Sequence, residues 1–403
     1  MSVTPQTPWI SLIGIGEDGL DGLSPGALKA LERAEVILGG DRHHGLAERF
    51  SATRMTWPSP FDAMVDAILA HRGRPFAILT TGDPLWYSVG ARLLKAIPAD
   101  QMEIFPQLSA FQWAAARLGW SLADLTTATV HGRAVEQVIP HFAPNRRMLL
   151  LTRDGDTPAE VAALLRAHGY GASSLSVLGA LGGARETRHD GTAQDAWTNM
   201  PAFHVLAVTC RVEGGTVPLA PGPGLPDAAF VQDGKMTKAE VRAVSVAALA
   251  PFPGASLWDL GCGCGSVAVE FLRLARDGEA VGVDHNAARL AMARENATRL
   301  GTPRLRLIEG RVPQALEGLA QPDAVFIGGG LSVAAVEASL AALPAHGRLV
   351  ANAVTLESEA LLIDLHATHG GRLTKLSISR AEPVGPFRGW RALMPVTQWV
   401  WTR

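Results

Sequence analysis

The sequence predicts an α/β protein with two units, each built on a largely parallel sheet. Short β-branched runs alternate with longer helical patterns on both sides of one break in the chain, which is typical of α/β folds. The break is "RVEGGTVPLAPGPGLPDAAF", residues 211–230, whose prolines and glycines exclude a helix or a central strand. A chain of 403 residues is also longer than a single compact core usually organises. We therefore expect a first unit over 1–210, a semi-rigid connector over 211–230 and a second unit over 231–403.

The first unit is predicted to open with a strand in "WISLIGIG" and a helix in "LSPGALKALERAEVIL". A strand in "RPFAILTTGDP" and a helix in "GARLLKAI" follow. Later strands are predicted in "RRMLLLT", "SLSVLGAL" and "FHVLAVTC". The strands in "WISLIGIG" and "RPFAILTTGDP" end in glycine-rich turns.

The second unit is predicted to begin with a helix in "TKAEVRAVSVAALA". Strands are then expected in "SLWDLG", "EAVGVD", "RLRLIEG", "DAVFIGG", "GRLVANAV" and "MPVTQWVWT", with helices after the first two. This alternation predicts a Rossmann-like domain.

The bulk composition excludes several classes of protein. The formal net charge is −2, so the chain has no overall basic surface for nucleic acid or an anionic membrane. No run approaches 18 apolar residues and the N-terminus lacks a signal-peptide pattern, so we expect no membrane association. Only three cysteines occur, which fits a reducing compartment, and we expect a cytoplasmic protein.

The stretch "SLWDLGCGCGSVAVEFL", residues 256–272, is compatible with three kinds of site: a metal site, a dinucleotide site or a pocket for a nucleoside-methionine compound. A structural zinc site needs four ligands, and Cys262 and Cys264 stand one residue apart with no Cys or His pair nearby. We therefore expect no metal, and we interpret both cysteines as small residues that let the loop pack.

Asp259 separates the two remaining possibilities. It ends the strand before the glycines, where a carboxylate would repel a pyrophosphate but attract the ammonium and sulfonium of S-adenosylmethionine. Asp284, at the end of the next strand, suits the hydroxyls of a ribose in either case. The pattern favours a methyl-donor pocket, and a nicotinamide-dependent oxidoreductase stays open as the alternative.

The loop "DAVFIGGG", residues 323–330, bears on the methyl acceptor. Enzymes that methylate the exocyclic amines of bases carry an Asn/Asp-Pro-Pro-aromatic motif at this place, and this chain has Ile327 followed by three glycines. A loop of glycines, which has no side chains, leaves room for a bulky methyl acceptor. The nucleophilic carbon of such an acceptor needs positioning more than deprotonation. A nucleic-acid methyltransferase, the other alternative, would also need a basic stripe that is not visible.

Several longer matches give the chain a family resemblance. Residues 9–210 resemble the tetrapyrrole methylases through "LIGIGEDGLDGLSPGALKALERAEVILGGDRH", "AILTTGDPLWYSVGARLL", "PQLSAFQWAAARLGW" and "HGR". From about Lys235 the chain resembles the class I methyltransferases of corrin biosynthesis through "MTKAEVRA", "DLGCGCGSVAVEF", "VGVDHNAARLAMARENATRLG", "EGRVPQAL" and "VFIGGG". The resemblance implies two S-adenosylmethionine-dependent carbon methylations of a precorrin, at carbons 5 and 15, with decarboxylation of the ring C acetate.

The same resemblance implies donor contacts at particular residues. In the second unit, Asp284 would hold the ribose of the donor, and Gly310 and Val312 would edge its adenine. The remaining contacts implied there are Thr237, Gly261, Cys262, Gly263, Cys264 and Gly265. In the first unit, the residues near a second donor are Gly82, Asp83, Ser109 and Ala110.

A precorrin is a polycarboxylate, and arginine is the natural partner of carboxylates. The candidate substrate-binding residues are therefore Arg133 in the first unit and Arg380, Arg388 and Arg391 in "SRAEPVGPFRGWRA". No residue stands out as a required acid or base, and the adjacent His43 and His44 are interpreted as surface residues. Related units are commonly oligomeric, which implies a homo-oligomer.

Overall fold

The computed structural model describes residues 8–403, which form two compact units. The first contains residues up to 135 together with 142–216, and the second contains 136–141 together with 217–403. The division after Thr216 falls inside the segment 211–230. Within residues 8–403, no helix combines the length and apolar character needed to cross a membrane.

A parallel sheet of five strands forms the first half of the first unit, in the order β3-β2-β4-β1-β5. Its strands are β1 (Ile10–Ile15), β2 (Val36–Leu38), β3 (Thr53–Met55), β4 (Phe76–Thr81) and β5 (Met102–Phe105). The helices are α1 (Pro25–Arg33), α2 (Asp41–Leu46), α3 (Met64–Leu69), α4 (Gly90–Leu93) and α5 (Ala110–Leu118).

The run predicted as one long helix, "LSPGALKALERAEVIL", is in fact a helix followed by a strand. Ser24 caps α1 by accepting a hydrogen bond from the Ala27 N–H (3.2 Å), and Pro25 occupies the first helical position. The helix stops at Arg33, and the buried residues of β2 pair with β4 instead. A short apolar run with two β-branched residues suits a strand buried on both faces.

The second sheet of the first unit is mixed, so the expectation of a largely parallel sheet is wrong here. Its order is β6-β7-β10-β8-β9, and only the pairing of β6 with β7 is parallel. The strands are β6 (Thr126–Thr129), β7 (Arg147–Leu151), β8 (Ser174–Gly179), β9 (Thr187–Thr192) and β10 (His204–Thr209), with helix α6 (Thr157–Ala167). The run of β9 is polar and has no alternating apolar residues, so this strand is not predicted from the sequence.

The second unit contains a seven-stranded sheet in the order β13-β12-β11-β14-β15-β19-β16. The first five strands are parallel, and β19 pairs antiparallel with both neighbours. The strands are β11 (Ser256–Leu260), β12 (Glu279–Asp284), β13 (Leu305–Glu309), β14 (Ala324–Ile327), β15 (Arg348–Ala353), β16 (Arg372–Leu376) and β19 (Val396–Thr402). The helices are α7 (Ala239–Leu249), α8 (Ser266–Leu274), α9 (Ala287–Arg299), α10 (Val333–Ala342) and α11 (Leu356–His369).

The strand order reverses between β11 and β14, which makes this the topological switch point of the sheet. Ligands of open α/β sheets bind outside the carboxyl ends of the strands at this point. The loop 261–265 follows β11 and the loop 328–330 follows β14, so both glycine-rich loops meet there.

Two further features belong to the second unit. Strands β17 (Ser379–Val384) and β18 (Phe387–Ala392) form a separate antiparallel hairpin. Leu225 and Phe230, from the segment 211–230, are buried in the core beneath α7 and α8. The later half of this segment is therefore packed as part of the second unit, although its composition predicts a connector.

Candidate active site

A cavity of about 350 Å³ opens at the switch point of the second unit. All but one of the donor contacts predicted for this unit line it: Thr237, Asp259, Gly261, Cys262, Gly263, Cys264, Asp284, Gly310 and Val312. The exception, Gly265, lies behind the loop, where an added Cβ would be 3.0 Å from Ala293 of α9. The structure thus brings together residues that lie as far apart in sequence as 237 and 312.

The loop after β11 is fixed by backbone bonds to the adjacent strand. The N–H groups of Gly261 and Cys262 both donate to the Val283 carbonyl, at 2.8 and 3.0 Å. Gly263 has a φ of +56°, and no atom lies within 4 Å of where its Cβ would be. The backbone at Gly263 therefore faces open space, which permits the close approach of a ligand.

Asp259 is buried to 1% exposure on the wall of this cavity. Its Oδ2 accepts a hydrogen bond from the Ala268 N–H (3.0 Å), whereas its Oδ1 is buried without a partner among the described residues. Burial raises the pKa of Asp259 to about 7, and the nearby Asp284 adds to the rise. A buried carboxylate oxygen without a partner suits a cationic ligand group and opposes a pyrophosphate.

Asp284 holds the loop in place. Its Oδ2 accepts from the Gly263 N–H and its Oδ1 from the Asn286 N–H, both at 2.9 Å. The helix that follows is capped by Asn286, which accepts from the N–H groups of Ala288 and Arg289. Asn286 therefore caps this helix, and the Asp284 carboxylate oxygens keep lone pairs that can accept further hydrogen bonds from the cavity.

Some residues of the cavity were missed by sequence reasoning. They are Asp233, Lys235, Met236, Ser266, Val267, His285, Arg289 and Phe326, among others. Asp233 and Arg289 form an ion pair at 2.9 Å on the rim of the cavity. Asp233 lies before the first predicted helix, and no motif marks it. Only the tertiary fold places it opposite α9.

The two cysteines of the loop pack against the sheet. An added Cβ on Gly282 of β12 would lie 3.0 Å from the Cys262 Sγ, which shows how closely the thiol approaches this strand. Burial raises the pKa of both the Cys262 and the Cys264 thiols. Within residues 8–403, no group of three or more His, Cys, Asp and Glu side chains is placed to hold a metal ion.

The predicted donor residues of the first unit also lie together, at the carboxyl end of β4. An added Cβ on Gly82, whose φ is +63°, would lie 3.1 Å from the Ser109 Cα and 3.7 Å from the Ala110 nitrogen. The Ser109 hydroxyl is buried without a partner among the described residues. Asp83 differs, since its Oδ1 accepts from the Leu85 N–H (2.7 Å) within its own turn.

His43 is half-buried in a polar cluster, so its interpretation as a surface residue is wrong. Its Nδ1 accepts from the Gly40 N–H (3.2 Å) and its Nε2 lies 3.0 Å from the Thr81 Oγ1. Arg42, paired with Glu17, bonds the same hydroxyl. Burial, together with the Arg42 charge, lowers the pKa of His43 to about 4. The cluster sits where β1, β2 and β4 end, a position that the sequence alone does not reveal.

The four candidate arginines differ in their surroundings. Arg133 belongs to the first unit and is exposed. Arg380 of β17 is bonded to Glu240 (2.6 and 3.0 Å) and to Asp227 (2.9 Å), which raises its pKa. Arg391 pairs with Glu382 at 3.0 Å, and Arg388 is exposed on the same hairpin.

Comparison with known proteins places each unit in a family. Residues 10–196 match the model of the tetrapyrrole (corrin/porphyrin) methylases, and residues 228–403 match that of the precorrin methyltransferase domain. With two α/β units and a Rossmann-like switch-point cavity, the chain is a two-domain methyltransferase.

Relatives of the same overall length narrow this class. Precorrin-6Y C(5,15)-methyltransferase (decarboxylating) of a Sinorhizobium species is 43% identical over 98% of this chain and 97% of its own. The protein of that name from Mycobacterium tuberculosis is 38% identical over 98% of this chain and 100% of its own. The solved C-terminal domain of precorrin-6Y C5,15-methyltransferase from Rhodobacter capsulatus is 46% identical, covers 46% of this chain and 100% of its own, and has a TM-score of 0.44. The chain belongs to the family of decarboxylating precorrin-6Y C(5,15)-methyltransferases.

Proposed function

We propose that this chain transfers two methyl groups from S-adenosylmethionine to precorrin-6Y, at carbons 5 and 15, and releases the ring C acetate carboxyl as carbon dioxide. The observation that carries the proposal is the switch-point cavity, in which Asp259 and Asp284 flank a glycine loop. The chain is also related over 98% of its length to a decarboxylating precorrin-6Y C(5,15)-methyltransferase. We assign carbon 15 and the decarboxylation to the second unit and carbon 5 to the first.

The second unit offers a complementary group for each part of the donor. The Asp259 Oδ1, which lacks a partner among the described residues, would accept the ammonium, and the open backbone at Gly263 would lie along the methionine portion. Asp284 would accept the ribose hydroxyls, and Gly310 and Val312 would border the adenine. When bound, the donor supplies an electrophilic methyl group, and the chain's own residues orient the acceptor and exclude water.

In the first unit, Gly82 and Ser109 are the proposed centre of a second donor site, with Asp83 and Ala110 beside them. The buried Ser109 hydroxyl needs a hydrogen-bond partner, and a carboxylate or hydroxyl group of the bound S-adenosylmethionine would provide one. The tight approach of Gly82 to Ser109 excludes larger residues there.

For the substrate carboxylates we propose Arg388 and Arg391, next to Trp390, which is 80% exposed and offers a flat apolar face. Arg133 is proposed for the first unit. Arg380 would have to leave Glu240 and Asp227 to bind a substrate, so we propose that it supports the hairpin and acts on the substrate only through it.

The test is mass spectrometry of precorrin-6Y after incubation with the full chain and S-adenosylmethionine. The proposal predicts a gain of two methyl groups and a loss of one carbon dioxide. Asp284→Asn should suppress carbon 15 methylation together with decarboxylation, and Gly82→Ala should suppress carbon 5 methylation alone. Unchanged substrate with the wild-type chain would refute the proposal, and both variants losing the same methyl group would refute the division between units.

We also propose a homo-oligomer, because the hairpin exposes the apolar side chains of Val384 (62%) and Phe387 (76%), which are paired in its register. A second copy of the chain would cover this surface. Light scattering should give a mass above one chain for the wild type and a lower mass for Phe387→Asp. Cys210, Cys262 and Cys264 form no disulfide, which supports the proposed cytoplasmic location.

A further inference from the structure

Residues 224–237, which we name the strap, are bound to the second unit by buried charged side chains. The Glu270 carboxylate of α8 accepts from the N–H groups of Gly224 (2.7 Å) and Leu225 (2.8 Å). Arg242 of α7, with no exposed surface, donates to the carbonyls of Leu225 and Thr237 and to Glu270 (2.6 Å). One ion pair thus fastens both ends of the strap.

The middle of the strap is held by Asn296 of α9, which has no exposed surface. Its Oδ1 accepts from the Val231 N–H (2.8 Å) and its Nδ2 donates to the Val231 carbonyl (2.9 Å). The same Nδ2 donates to the Cys264 carbonyl of the glycine loop, also at 2.9 Å. A single amide therefore joins the strap to the loop.

These two segments are facing walls of the proposed donor cavity. Met236 and Thr237 line it from the strap, and Cys262, Gly263 and Cys264 line it from the loop. Neither Asn296 nor Arg242 lines the cavity, so each acts on a ligand only through the backbone that it holds. The position of the strap relative to the glycine loop depends on these buried contacts.

We infer that Asn296 and Arg242 are positioning residues, which set the affinity of the second unit for the methyl donor by fixing the strap against the glycine loop. This inference rests on the proposed function, because it assigns the cavity to the donor. A structural role alone would lower stability and leave the affinity of the folded protein unchanged.

The experiment is calorimetric titration of the full chain with S-adenosylhomocysteine. The site that weakens in Asp284→Asn identifies the second unit, and the remaining site is an internal reference. Asn296→Ala should weaken the second-unit site at least tenfold and leave the other site within twofold. Arg242→Lys keeps the charge beside Glu270 but loses the guanidinium fork, and we expect a weakening of the same size.

Gln398→Ala is the matched control. Gln398 is a buried amide of the same unit that donates to Ser245 and Asn352 at 3.0 Å, and none of the three lines the cavity. Urea denaturation should show lower stability for this variant, with donor affinity within twofold of wild type. Second-unit affinity that is unchanged in both Asn296→Ala and Arg242→Lys would overturn the inference. A wild-type chain that binds no S-adenosylhomocysteine would overturn the proposed function itself, and the inference with it.

Discussion

Gly261 packs directly onto the backbone of Gly329. An added Cβ on Gly261 would lie 2.5 Å from the Gly329 oxygen and 2.6 Å from its Cα. The contact brings the loop after β11 against the loop after β14, whose Gly328 and Gly329 N–H groups donate to the Leu260 carbonyl (3.0 and 3.3 Å). The contact therefore excludes a Cβ at Gly261, whereas a Cβ at Gly329 would be accommodated.

Gly261→Ala should damage the second-unit site. The φ of +66° at Gly261 costs a residue with a Cβ about 1–2 kcal/mol, and the clash with Gly329 displaces a wall of the cavity. We expect donor affinity to fall at least tenfold, measured by calorimetry. Gly329→Ala is the control, because its Cβ would meet Gly261 atoms at an ordinary 3.6 Å. Equal effects of the two substitutions would contradict the packing argument.

Donor binding at the second-unit site should depend on pH through Asp259. Its pKa lies at about 7 because the carboxyl is buried, and a cationic ligand group favours the ionised form. As pH falls below 7, affinity should therefore decrease by up to about tenfold per unit. Asp284, Asp233, Lys235, His285, Arg289 and Arg311 also line the cavity and bear on this profile.

Calorimetry between pH 5.5 and 8, in buffers of different ionisation enthalpy, would reveal the proton that Asp259 releases on binding. Asp259→Asn should bind weakly at every pH and release no proton. The stability of the free protein should change with pH in the opposite direction to the donor affinity. The reason is that a carboxyl whose pKa is raised in the folded state holds its proton more tightly there than in the unfolded chain. Its contribution to the free energy of unfolding therefore falls as pH rises from about 4 to 7. A wild-type affinity that stays constant over this range would count against an ionising Asp259.

Asp284→Asn should weaken the donor site by about 10- to 100-fold. The substitution leaves the Gly263 and Asn286 N–H groups competing for a single acceptor oxygen, and it removes the charge-assisted bonds to a ribose. Glu309→Gln is a matched control, because Glu309 pairs with Asp284 in the sheet register but is exposed and lies outside the cavity lining. A comparable loss in both variants would indicate a general charge effect.

The three thiols should be unreactive in the folded chain. Burial raises the pKa of Cys210 to about 11, which leaves about one thousandth of it as thiolate at pH 8, and burial also raises the pKa of Cys262 and Cys264. Ellman's reagent should therefore modify the native protein at least 100-fold more slowly than the urea-denatured protein. Reaction of Cys262 or Cys264 at the denatured rate would show that the glycine loop opens freely.

The sequence predicts those parts of the fold whose signal is local. Strand β12 and the following helix have a buried run, a terminal acid and an Asn cap, and the structure confirms them. The sequence predicts a helix in place of strand β2, because three residues are too few to show the alternation of a strand. Strands β17 and β18 were missed because they expose both faces and have no buried alternation.

Long-range polar contacts lie beyond sequence reasoning. Arg242, Glu270 and Asn296 look like ordinary solvent-facing residues of amphipathic helices, yet all three are buried. Their partners are backbone groups of a Pro/Gly-rich segment, which carry no side-chain signal. The loop 261–264 and Asp284 are parts of the cavity lining that the sequence can predict, because each follows a strand of the parallel sheet.

The strap also dictates where the two activities can be separated into independent polypeptides. A break at residue 231, where the composition changes, would leave Glu270 and Arg242 buried without their partners Gly224 and Leu225. It would also remove the buried side chains of Leu225 and Phe230 from the core of the second unit. A break at 216 leaves all of these with the second unit. A second unit produced on its own should therefore fold only when its chain begins upstream of the strap, so the later half of the Pro/Gly-rich segment belongs to that unit.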